Sequence, residues 1–298
     1  MITFIDADSL MFKVAHRSRT EHDLRKGWRE KIKDIGVVTW ADQVIVGVKG
    51  AHKNFRYDIL EDYKGTRPSL DQVMKNKLNY LHKFAVKEGA IRAREGWETD
   101  DEIAQWAQDA YADGDDYTIA HIDKDLDLIV GSHYNYNKDT HYEVTHDEAL
   151  YNFYHQLLTG DRSDNIPGIR GIGPVRATKL LSEGVYYDTV AGQWKDHAAM
   201  ERSARCLFMG DPELFTWDLR KLYAKEETET NVETVHQLLE DSPAVLCGDD
   251  EQDGDEPDEL LRQQRNRDEL DGPTESNNGT VREEVGVPTD GTAASTTL

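Results

Sequence analysis

Three short runs of apolar residues, separated by longer polar stretches, occur in the first half of the chain. They lie at residues 2–6, 44–48 and 117–122. Short apolar runs without helical spacing are typical of buried strands, and the intervals between these runs are long enough for helices. The pattern therefore predicts an α/β fold with a central, mainly parallel sheet flanked by helices.

Two helices are predicted by capping signals that precede apolar residues at helical spacing. A Ser-x-x-Gln signal occupies residues 69–72, and a Thr-x-x-Glu signal occupies residues 99–102. Such signals mark helix N-termini. The second signal places Asp100 and Asp101 in the first turn of its helix.

Carboxylates follow these elements at what is predicted to be one edge of the sheet. They are Asp6 after the first strand, Asp123 and Asp125 after the third, and Glu98, Asp100 and Asp101 at the start of a helix. Strand ends and helix N-termini meet at one edge of a parallel sheet, and clustered carboxylates repel unless cations neutralise them. Oxygen ligands favour Mg²⁺ or Mn²⁺, and two such ions can promote phosphodiester hydrolysis. Taken singly, these residues are more simply interpreted as helix caps and a polar turn.

A glycine-rich segment at residues 165–181 leads into a helix that is predicted to begin at Pro174. Its glycines are Gly168, Gly171 and Gly173, and its cationic residues are Arg170, Arg176 and Lys179. Glycines before a helix let backbone N–H groups approach a phosphate, so the segment predicts binding to a nucleic-acid backbone without sequence readout. The alternative is a pair of helices packed through a turn.

The net charge of −23 is concentrated at the end of the chain. Residues 225–298 contain 21 acidic and 5 basic residues, a net charge of −16, which leaves −7 for the rest. This composition predicts an acidic, disordered tail. Residues 13–33 carry 8 basic and 3 acidic residues, and residues 64–94 carry 8 and 2. These two segments are either solvated helix faces or surfaces for an anionic partner.

The remaining composition excludes several classes of protein. Cys206 and Cys247 are too few and too far apart for a zinc site or a disulfide framework. Apolar runs are far shorter than the ~20 residues of a membrane-spanning helix, and acidic residues interrupt the apolar start of the chain. The expected location is the cytoplasm.

Five motifs, in this order, resemble the 5′-nuclease family, which includes bacteriophage flap endonucleases and exonucleases and the 5′-nuclease domain of bacterial DNA polymerase I. They are FIDAD at 4–8, FRYDILEDYKGTRP at 55–68, WETDDEIA at 97–104, IDKDLDLIV at 122–130 and TGDRSDNIPGIRGIGPVRATKLL at 159–181. The resemblance covers roughly residues 1–185. A chain without a polymerase is more similar to the phage type.

The resemblance implies roles for individual residues. First-metal ligands are Asp6, Glu98 and Asp100, with Asp101 a nearby acidic ligand that acts through water, and second-metal ligands are Asp123, Asp125, Asp161 and Asp164. Lys64 and Arg67, which follow Tyr63, match the basic pair that contacts the scissile phosphate. The implied cofactors are two Mg²⁺ ions, for which Mn²⁺ substitutes, and K⁺ at a helix–three-turn–helix.

The resemblance also implies a domain organisation. A nuclease domain covers residues 1–155 and includes a helical arch at about 64–95, through or under which a 5′ strand passes. A helix–three-turn–helix and further helices cover residues 156–224, and the acidic tail covers residues 225–298. The implied activity is 5′-3′ exonuclease or flap endonuclease on DNA with 5′ ends, flaps or junctions, in phage DNA replication in the host cytoplasm. Replication proteins are expected partners of the tail.

One departure from the family pattern concerns the second strand. Relatives usually place an aspartate at its end, whereas residues 47–50 here are Gly-Val-Lys-Gly. The sequence therefore predicts a weaker first metal site. Two alternatives remain: a DNA-junction binding protein that has lost its chemistry, and an RNA-directed nuclease of the PIN type, a class that lacks the glycine hairpin.

Overall fold

A six-stranded sheet lies at the centre of the computed structural model, which describes residues 1–223. Its strands are β1 (Ile2–Asp6), β2 (Gln43–Val48), β3 (Ile91–Arg92), β4 (Tyr117–His121), β5 (Gly131–Asn135) and β6 (Thr140–Val144). Their order is β3-β2-β1-β4-β5-β6, and all neighbours are parallel except β5 and β6. The predicted α/β class and mainly parallel sheet are confirmed. The predicted acidic tail and Cys247 lie outside the described residues.

Helices cover both faces of the sheet and continue beyond it. The α-helices of residues 1–223 are α1 (Ala7–Arg17), α2 (Glu21–Val38), α3 (Arg56–Ile59), α4 (Gln72–Lys87), α5 (Thr99–Asp113), α6 (His146–Thr159), α7 (Pro174–Leu180), α8 (Tyr186–Ala191) and α9 (His197–Leu207). Short 3₁₀ helices occupy Lys124–Leu128, Pro212–Leu214 and Leu219–Tyr223. Within this part of the chain no helix is both long and apolar enough to cross a membrane.

The apolar runs form strands because both of their faces are buried. Alternate residues of β1 point to opposite sides, so Ile5 packs with α1, α2 and α4, whereas Phe4 packs with α5. A third apolar cluster, which includes Phe153 and Leu157 of α6, joins the helices after the sheet. The sheet between these two layers of helices brings the carboxyl ends of β1, β2 and β4 to one edge.

The strands that the sequence pattern missed are short or polar. β3 has two residues, and β5 and β6 have the sequences GSHYN and THYEV, in which apolar runs are absent. These strands depend on pairing with their neighbours, since β6 runs antiparallel to β5 along its whole length. Local periodicity therefore carries little information about them.

Both predicted capping signals are displaced from the actual helix starts. Asp71, not Ser69, caps α4 by accepting a hydrogen bond from the Met74 N–H at 2.7 Å. Glu98 is the N-cap residue of α5 and its N–H donates to Asp101 Oδ2 at 2.9 Å, so Thr99 is the first helical residue. An aspartate side chain is as good an N-cap acceptor as a serine hydroxyl. This explains why α4 begins after Asp71 and not after Ser69.

The segment predicted to form an arch contains one helix, and that helix belongs to the core. Met74, Leu81 and Ala85 of α4 are buried against α1 and α2. The apolar stripe that predicted a helix here is the surface that packs α4 onto α1 and α2, and the arch at about 64–95 stays a prediction. Residues 65–71, which precede it, form an exposed loop.

Residues 160–173 connect α6 to α7 beside the sheet edge. An isolated antiparallel bridge between Asp161 and Ile166 closes the start of this connection. Helix α6 spans position 155, where the predicted nuclease domain ends, so the two predicted segments share a helix. Its assignment to a helix–three-turn–helix stays a prediction.

Candidate active site

Asp6 and Asp123 lie at the carboxyl ends of the adjacent parallel strands β1 and β4. Each carboxylate caps the helix that follows. Asp6 Oδ1 accepts from the Asp8 N–H at 3.1 Å, and Asp123 Oδ1 accepts from the Asp125 N–H at 3.0 Å. The strand ends therefore bring two carboxylates to one edge, as the sequence pattern predicts.

The pKa values of Asp6 and Asp100 reflect crowding of negative charge at this edge. Burial raises the pKa of Asp6 to about 8, and repulsion from Asp8 and Asp123 adds to the effect. Burial, followed by repulsion from Asp6, Glu98 and Asp123, raises the pKa of Asp100 well above its ordinary value. Within residues 1–223 neither Asp6 nor Asp100 forms an ion pair, so ionisation of both would leave negative charge without a cationic partner.

Asp8 is the carboxylate that the sequence reasoning missed. Its Oδ1 accepts from the Lys49 N–H at 3.0 Å, and its Oδ2 accepts from the Thr99 hydroxyl at 2.7 Å. Burial raises its pKa. The side chain thus starts from α1 but lies at the end of β2, the place where relatives carry an aspartate. Only its position two residues after Asp6 in the FIDAD motif offered a signal in the sequence.

Lys64 and Arg67 lie next to the edge and are paired with carboxylates. Lys64 Nζ forms an ion pair with Glu98 and lies 3.5 Å from Asp164 Oδ2, and Arg67 forms an ion pair with Asp164. The buried Tyr63 hydroxyl lies 2.8 Å from a carboxylate oxygen of Glu98 and of Asp164, and its single proton can be donated to one of them at a time. Burial alone would raise the pKa of Glu98, but its cationic neighbours outweigh burial and lower it.

A second group of carboxylates surrounds Lys124. The Lys124 ammonium lies 2.9 Å from Asp125 Oδ1 and 2.7 Å from Asp161 Oδ2, so it bridges the two. Burial, followed by repulsion from Asp123 and Asp161, raises the pKa of Asp125 to about 6. Burial opposes ionisation of Asp161, but hydrogen bonds from Lys124 and Ser163 outweigh it and lower its pKa.

The side chain of Gln156 on α6 lies against this second group. Its Nε2 donates to Asp125, and the same nitrogen lies 3.5 Å from Asp161 Oδ2. Its Oε1 is buried and has no hydrogen-bond partner within the described residues. A buried acceptor without a partner is costly, so this corner suits an additional cation or water molecule.

Asp101 forms a buried ion pair with Arg56, which also lies 3.6 Å from Glu98 Oε2. Arg56 Nη1 and Nη2 donate to its carboxylate at 2.7 and 2.6 Å, and the backbone N–H groups of Glu98 and Gly210 also donate to it. Its oxygens are therefore already used. The predicted role of Asp101 as an acidic ligand does not match this geometry, whereas a structural role does.

The glycine-rich segment divides into a packed part and an open part. A Cβ on Gly168 would lie 2.2 Å from the Gly160 nitrogen, so Gly168 allows two backbone segments to pack closely. Gly171 and Gly173 have open space where a Cβ would be. The cationic side chains Arg170, Arg176 and Lys179 are exposed around the open part.

Comparison with known proteins identifies the family of the chain that carries these carboxylates. The family model described as 5′-3′ exonuclease, N-terminal resolvase-like domain, matches residues 1–155. The chain belongs to the 5′-3′ exonuclease family. The resemblance carried by the five sequence motifs is thereby confirmed.

The aligned part of this chain covers only part of each curated relative in this exonuclease family. DNA polymerase I of Deinococcus radiodurans is 28% identical over 254 residues, which cover 75% of this chain and 26% of the polymerase. The 5′-3′ exonuclease of Bacillus subtilis is 32% identical over 154 residues, which cover 46% of this chain and 50% of that protein. The chain thus spans about a quarter of the polymerase and half of the exonuclease.

Solved structures of bacteriophage T5 nucleases share the fold. The T5 flap endonuclease, in a pseudo-enzyme-product complex with DNA and metal ions, has a TM-score of 0.60 at 17% identity and covers 80% of this chain and 98% of that chain. The T5 5′-exonuclease with bound zinc has a TM-score of 0.61 at 18% identity, with coverages of 80% and 98%. At these identities the likeness establishes the fold.

The donor set of this exonuclease-family site suits hard divalent cations. Carboxylate oxygens predominate, and burial and mutual repulsion disfavour ionisation of Asp6 and Asp100 unless a cation is bound. The side chains are nevertheless spread along the edge. Within residues 1–223, the one group of three or more His, Cys, Asp or Glu side chains whose ligand atoms all lie within 4.8 Å is His121, Asp127 and His133. The seven predicted ligands other than Asp101 would therefore have to draw together around bound ions.

Proposed function

We propose that this protein is a divalent-metal-dependent nuclease that hydrolyses DNA phosphodiesters near 5′ ends or flap junctions. The observation that carries the proposal is the crowding of Asp6, Asp100 and Asp123 at one sheet edge, beside Lys64 and Arg67. Uncompensated carboxylates next to cationic side chains are suited to hold metal ions and a phosphate together. Membership of the exonuclease family supports the reaction class.

We assign the metal ligands to two groups, for Mg²⁺ with Mn²⁺ as a substitute. The first group is Asp6, Glu98 and Asp100, and the second is Asp123, Asp125, Asp161 and Asp164. Bound ions would supply Lewis-acid activation of water and stabilise charge on the phosphate. The unpaired Gln156 Oε1 beside Asp125 and Asp161 supports a cation or ordered water in the second group.

Asp8 completes the first group in our proposal. The Lys49 N–H and Thr99 hydroxyl hold its carboxylate at the end of β2, close enough to Asp6 to raise the pKa of that residue. Its charge therefore replaces the aspartate that relatives place on the strand. The weaker first site expected from the sequence does not follow once Asp8 is counted, because the number of nearby carboxylates is restored.

Lys64 and Arg67 exchange partners during binding. In the structure their charges are paired with Glu98 and Asp164, although the Arg67 side chain is 51% exposed. Cations bound by the same two carboxylates would weaken those ion pairs. The ammonium and guanidinium groups, once released, would stabilise charge that develops on the scissile phosphate. Metal binding and phosphate binding are thus coupled.

Substrate binding is assigned to the loop between α6 and α7. Exposed Arg170, Arg176 and Lys179 would contact phosphates, and the open backbone at Gly171 and Gly173 allows close approach. These contacts recognise shape and charge, which suits a nuclease that acts on DNA ends. A K⁺ ion at this loop, replication proteins as partners of the acidic tail, a role in phage replication and a cytoplasmic location belong to the same proposal.

Cleavage of labelled DNA in the presence and absence of chelator tests the function. A 5′-labelled flap duplex, a matched RNA flap and a blunt duplex are incubated with the protein and Mg²⁺, with EDTA as the control. We expect cleavage of flap DNA that EDTA abolishes. Flap binding without cleavage in Mg²⁺ or Mn²⁺ would instead support a junction-binding protein, and preferential RNA cleavage would support a PIN-type nuclease. Either result contradicts the proposal.

A further inference from the structure

Two buried histidines and an aspartate converge on the outer half of the sheet. His121 is the last residue of β4, His133 lies on β5, and Asp127 belongs to the 3₁₀ helix Lys124–Leu128. Their ligand atoms all lie within 4.8 Å of one another. The histidine side chains are buried, whereas the Asp127 side chain is 31% exposed, which leaves a route from solvent.

Backbone carbonyls fix the tautomers of both histidines. His121 Nδ1 lies 2.6 Å from the Asp123 carbonyl oxygen, and His133 Nε2 lies 2.9 Å from the Ile129 carbonyl oxygen. A carbonyl oxygen only accepts hydrogen bonds, so each of these nitrogens carries its proton. In neutral imidazoles the other nitrogens, His121 Nε2 and His133 Nδ1, are then unprotonated.

The two unprotonated nitrogens face each other at 2.8 Å. Two lone pairs at this distance repel, so the contact is stable only when something positive lies between or beside them. A shared proton would do this, but it places an imidazolium in a buried site, where desolvation disfavours charge. A metal ion satisfies both lone pairs at once and accepts a carboxylate ligand as well.

Tyr142 and Asp127 supply the rest of the site. The Tyr142 hydroxyl donates to Asp127 Oδ1 at 2.7 Å, so its proton is not directed at the histidines, and its oxygen lies 3.1 Å from His121 Nε2. Asp127 Oδ1 itself lies 3.9 Å from the same nitrogen. Two imidazole nitrogens and one carboxylate oxygen thus face a common point.

We propose that His121, His133 and Asp127 bind one transition-metal ion of the Zn²⁺ class. Imidazole nitrogen with carboxylate is a donor set that suits Zn²⁺ or Co²⁺ and not Mg²⁺. Tetrahedral bonds of about 2.0–2.1 Å place two nitrogens roughly 3.3 Å apart, so the histidines separate by about 0.5 Å on binding. A water molecule or the Tyr142 oxygen completes the coordination.

The ion would hold the segment that carries Asp123 and Asp125 in place. The importance of this for cleavage rests on the proposed function. His121 holds the Asp123 carbonyl, and Asp127 belongs to the same short segment as Asp123 and Asp125. Fixing both ends of this segment fixes the carboxylates between them. The histidine site is thus a structural site beside the Mg²⁺ site and differs from it in ligand chemistry.

Metal titration of the full chain tests the site. Protein stripped with EDTA and freed of chelator is titrated with Zn²⁺ by calorimetry and with Co²⁺ by visible absorption, both in excess Mg²⁺ to occupy the acidic edge. We expect one equivalent of Zn²⁺ and a tetrahedral Co²⁺ spectrum. His133→Gln should weaken binding by ~100-fold or more, since even outer residues of metal sites cost 10–100-fold. His141→Gln, on neighbouring β6, is the matched control.

Asp100→Ala separates this inference from the proposed function. It removes a carboxylate of the acidic edge and should leave Zn²⁺ binding unchanged while cleavage is lost. Zn²⁺ binding that disappears in Asp100→Ala and persists in His133→Gln would overturn the inference, because the ion would then lie at the edge. Absence of a Zn²⁺ equivalent in the parent protein would overturn it as well, and would leave the proposed nuclease activity untouched.

Nitrogen NMR on the unsubstituted protein keeps the test decisive if His133→Gln does not fold. Zn²⁺ should shift the ¹⁵N resonances of His121 Nε2 and His133 Nδ1 and leave His121 Nδ1 and His133 Nε2 protonated. An N–H proton shared between the two rings, with no response to Zn²⁺, would show that a proton alone resolves the contact and would overturn the inference.

Discussion

Arg56 donates two hydrogen bonds to Asp101, at 2.7 and 2.6 Å, in the interior between α3 and α5. The same guanidinium donates to the carbonyls of Cys206 and Phe208, so one buried cation joins three parts of the chain. Removal of Asp101 takes away both short hydrogen bonds and leaves the buried guanidinium with Glu98, 3.6 Å away, as its remaining ion-pair partner. We expect Asp101→Ala to lower the free energy of unfolding by about 3–5 kcal/mol, measured by urea denaturation.

Asp109→Asn, farther along α5, is the control for this measurement and should change stability far less. Asp101→Ala with parental stability but a weaker response to Mg²⁺ would contradict the structural role. That result would support the role of Asp101 as a metal ligand.

Asp8 should set the metal requirement of the first site. We expect Asp8→Asn to raise the Mg²⁺ concentration for half-maximal cleavage about tenfold, equivalent to roughly 1.4 kcal/mol of metal binding. Calorimetric titration with Mg²⁺ should show the same loss without DNA. An unchanged Mg²⁺ curve in both assays would remove Asp8 from the first group.

Restoring an aspartate on β2 should not help the enzyme. The Val48 side chain is fully buried in the core, and a Cβ on Gly47 would lie 2.9 Å from Thr99 Cγ2. Val48→Asp should therefore lower the melting temperature, because it buries an unpaired charge. The protein that still folds should need at least as much Mg²⁺ as the parent. The weaker first site expected from the sequence would instead predict that a restored aspartate lowers the requirement. A lower requirement at parental stability would contradict this account.

Lys124 should compete with a cation at the second group. Its ammonium bridges Asp125 and Asp161, yet its side chain is 65% exposed, so it can move away when an ion binds. We expect Lys124→Met to tighten Mg²⁺ binding on the order of threefold, a modest effect because solvent screens the exposed amine. Lys138→Met is a control outside the site. Weaker Mg²⁺ binding in Lys124→Met would show that the lysine supports the site.

The pKa values of the edge predict how stability and metal binding depend on pH. Asp6 has a folded-state pKa of about 8, above the ordinary value of 3.8, so its contribution to stability is present below pH 3.8 and lost as pH rises towards 8. Asp125, with a pKa of about 6, acts in the same direction at lower pH. In EDTA, the free energy of unfolding should therefore fall as the pH rises from 3.8 towards 8.

Mg²⁺ should reverse this loss, because it binds the ionised carboxylates. The rise in melting temperature on adding Mg²⁺ should accordingly be larger at pH 8 than at pH 6, and Asp6→Asn should reduce the difference. A Mg²⁺ effect that is independent of pH would show that these carboxylates are not what the ion binds.

The sequence predicted those parts of the fold and the site that depend on local chemistry. Runs of apolar residues locate β1 and β4 because both faces of these strands are buried. Asp6 and Asp123 follow directly, since a residue at the end of a parallel strand must lie at the common edge. The polar strands β5 and β6 were missed because pairing, and not local apolar pattern, stabilises them.

Other features depend on tertiary contacts that the sequence does not reveal. Asp101 and Asp100 are adjacent in sequence, yet only Asp101 points towards Arg56 and the interior. Asp8 reaches the end of β2 only because α1 begins beside that strand. The apolar stripe of α4 predicted a helix correctly, but it could not show that this stripe packs against α1 and α2.

Single-turnover cleavage of 5′-flap DNA by the parent protein, Asp100→Ala and Asp161→Ala tests the central claim most directly. Each variant removes a proposed metal ligand, so we expect a loss of at least ~100-fold in rate, corresponding to several kcal/mol of transition-state stabilisation. Flap binding, measured in parallel by fluorescence anisotropy, should remain close to that of the parent. Near-normal cleavage by either variant would contradict the assignment of this acidic edge as a metal-dependent nuclease centre.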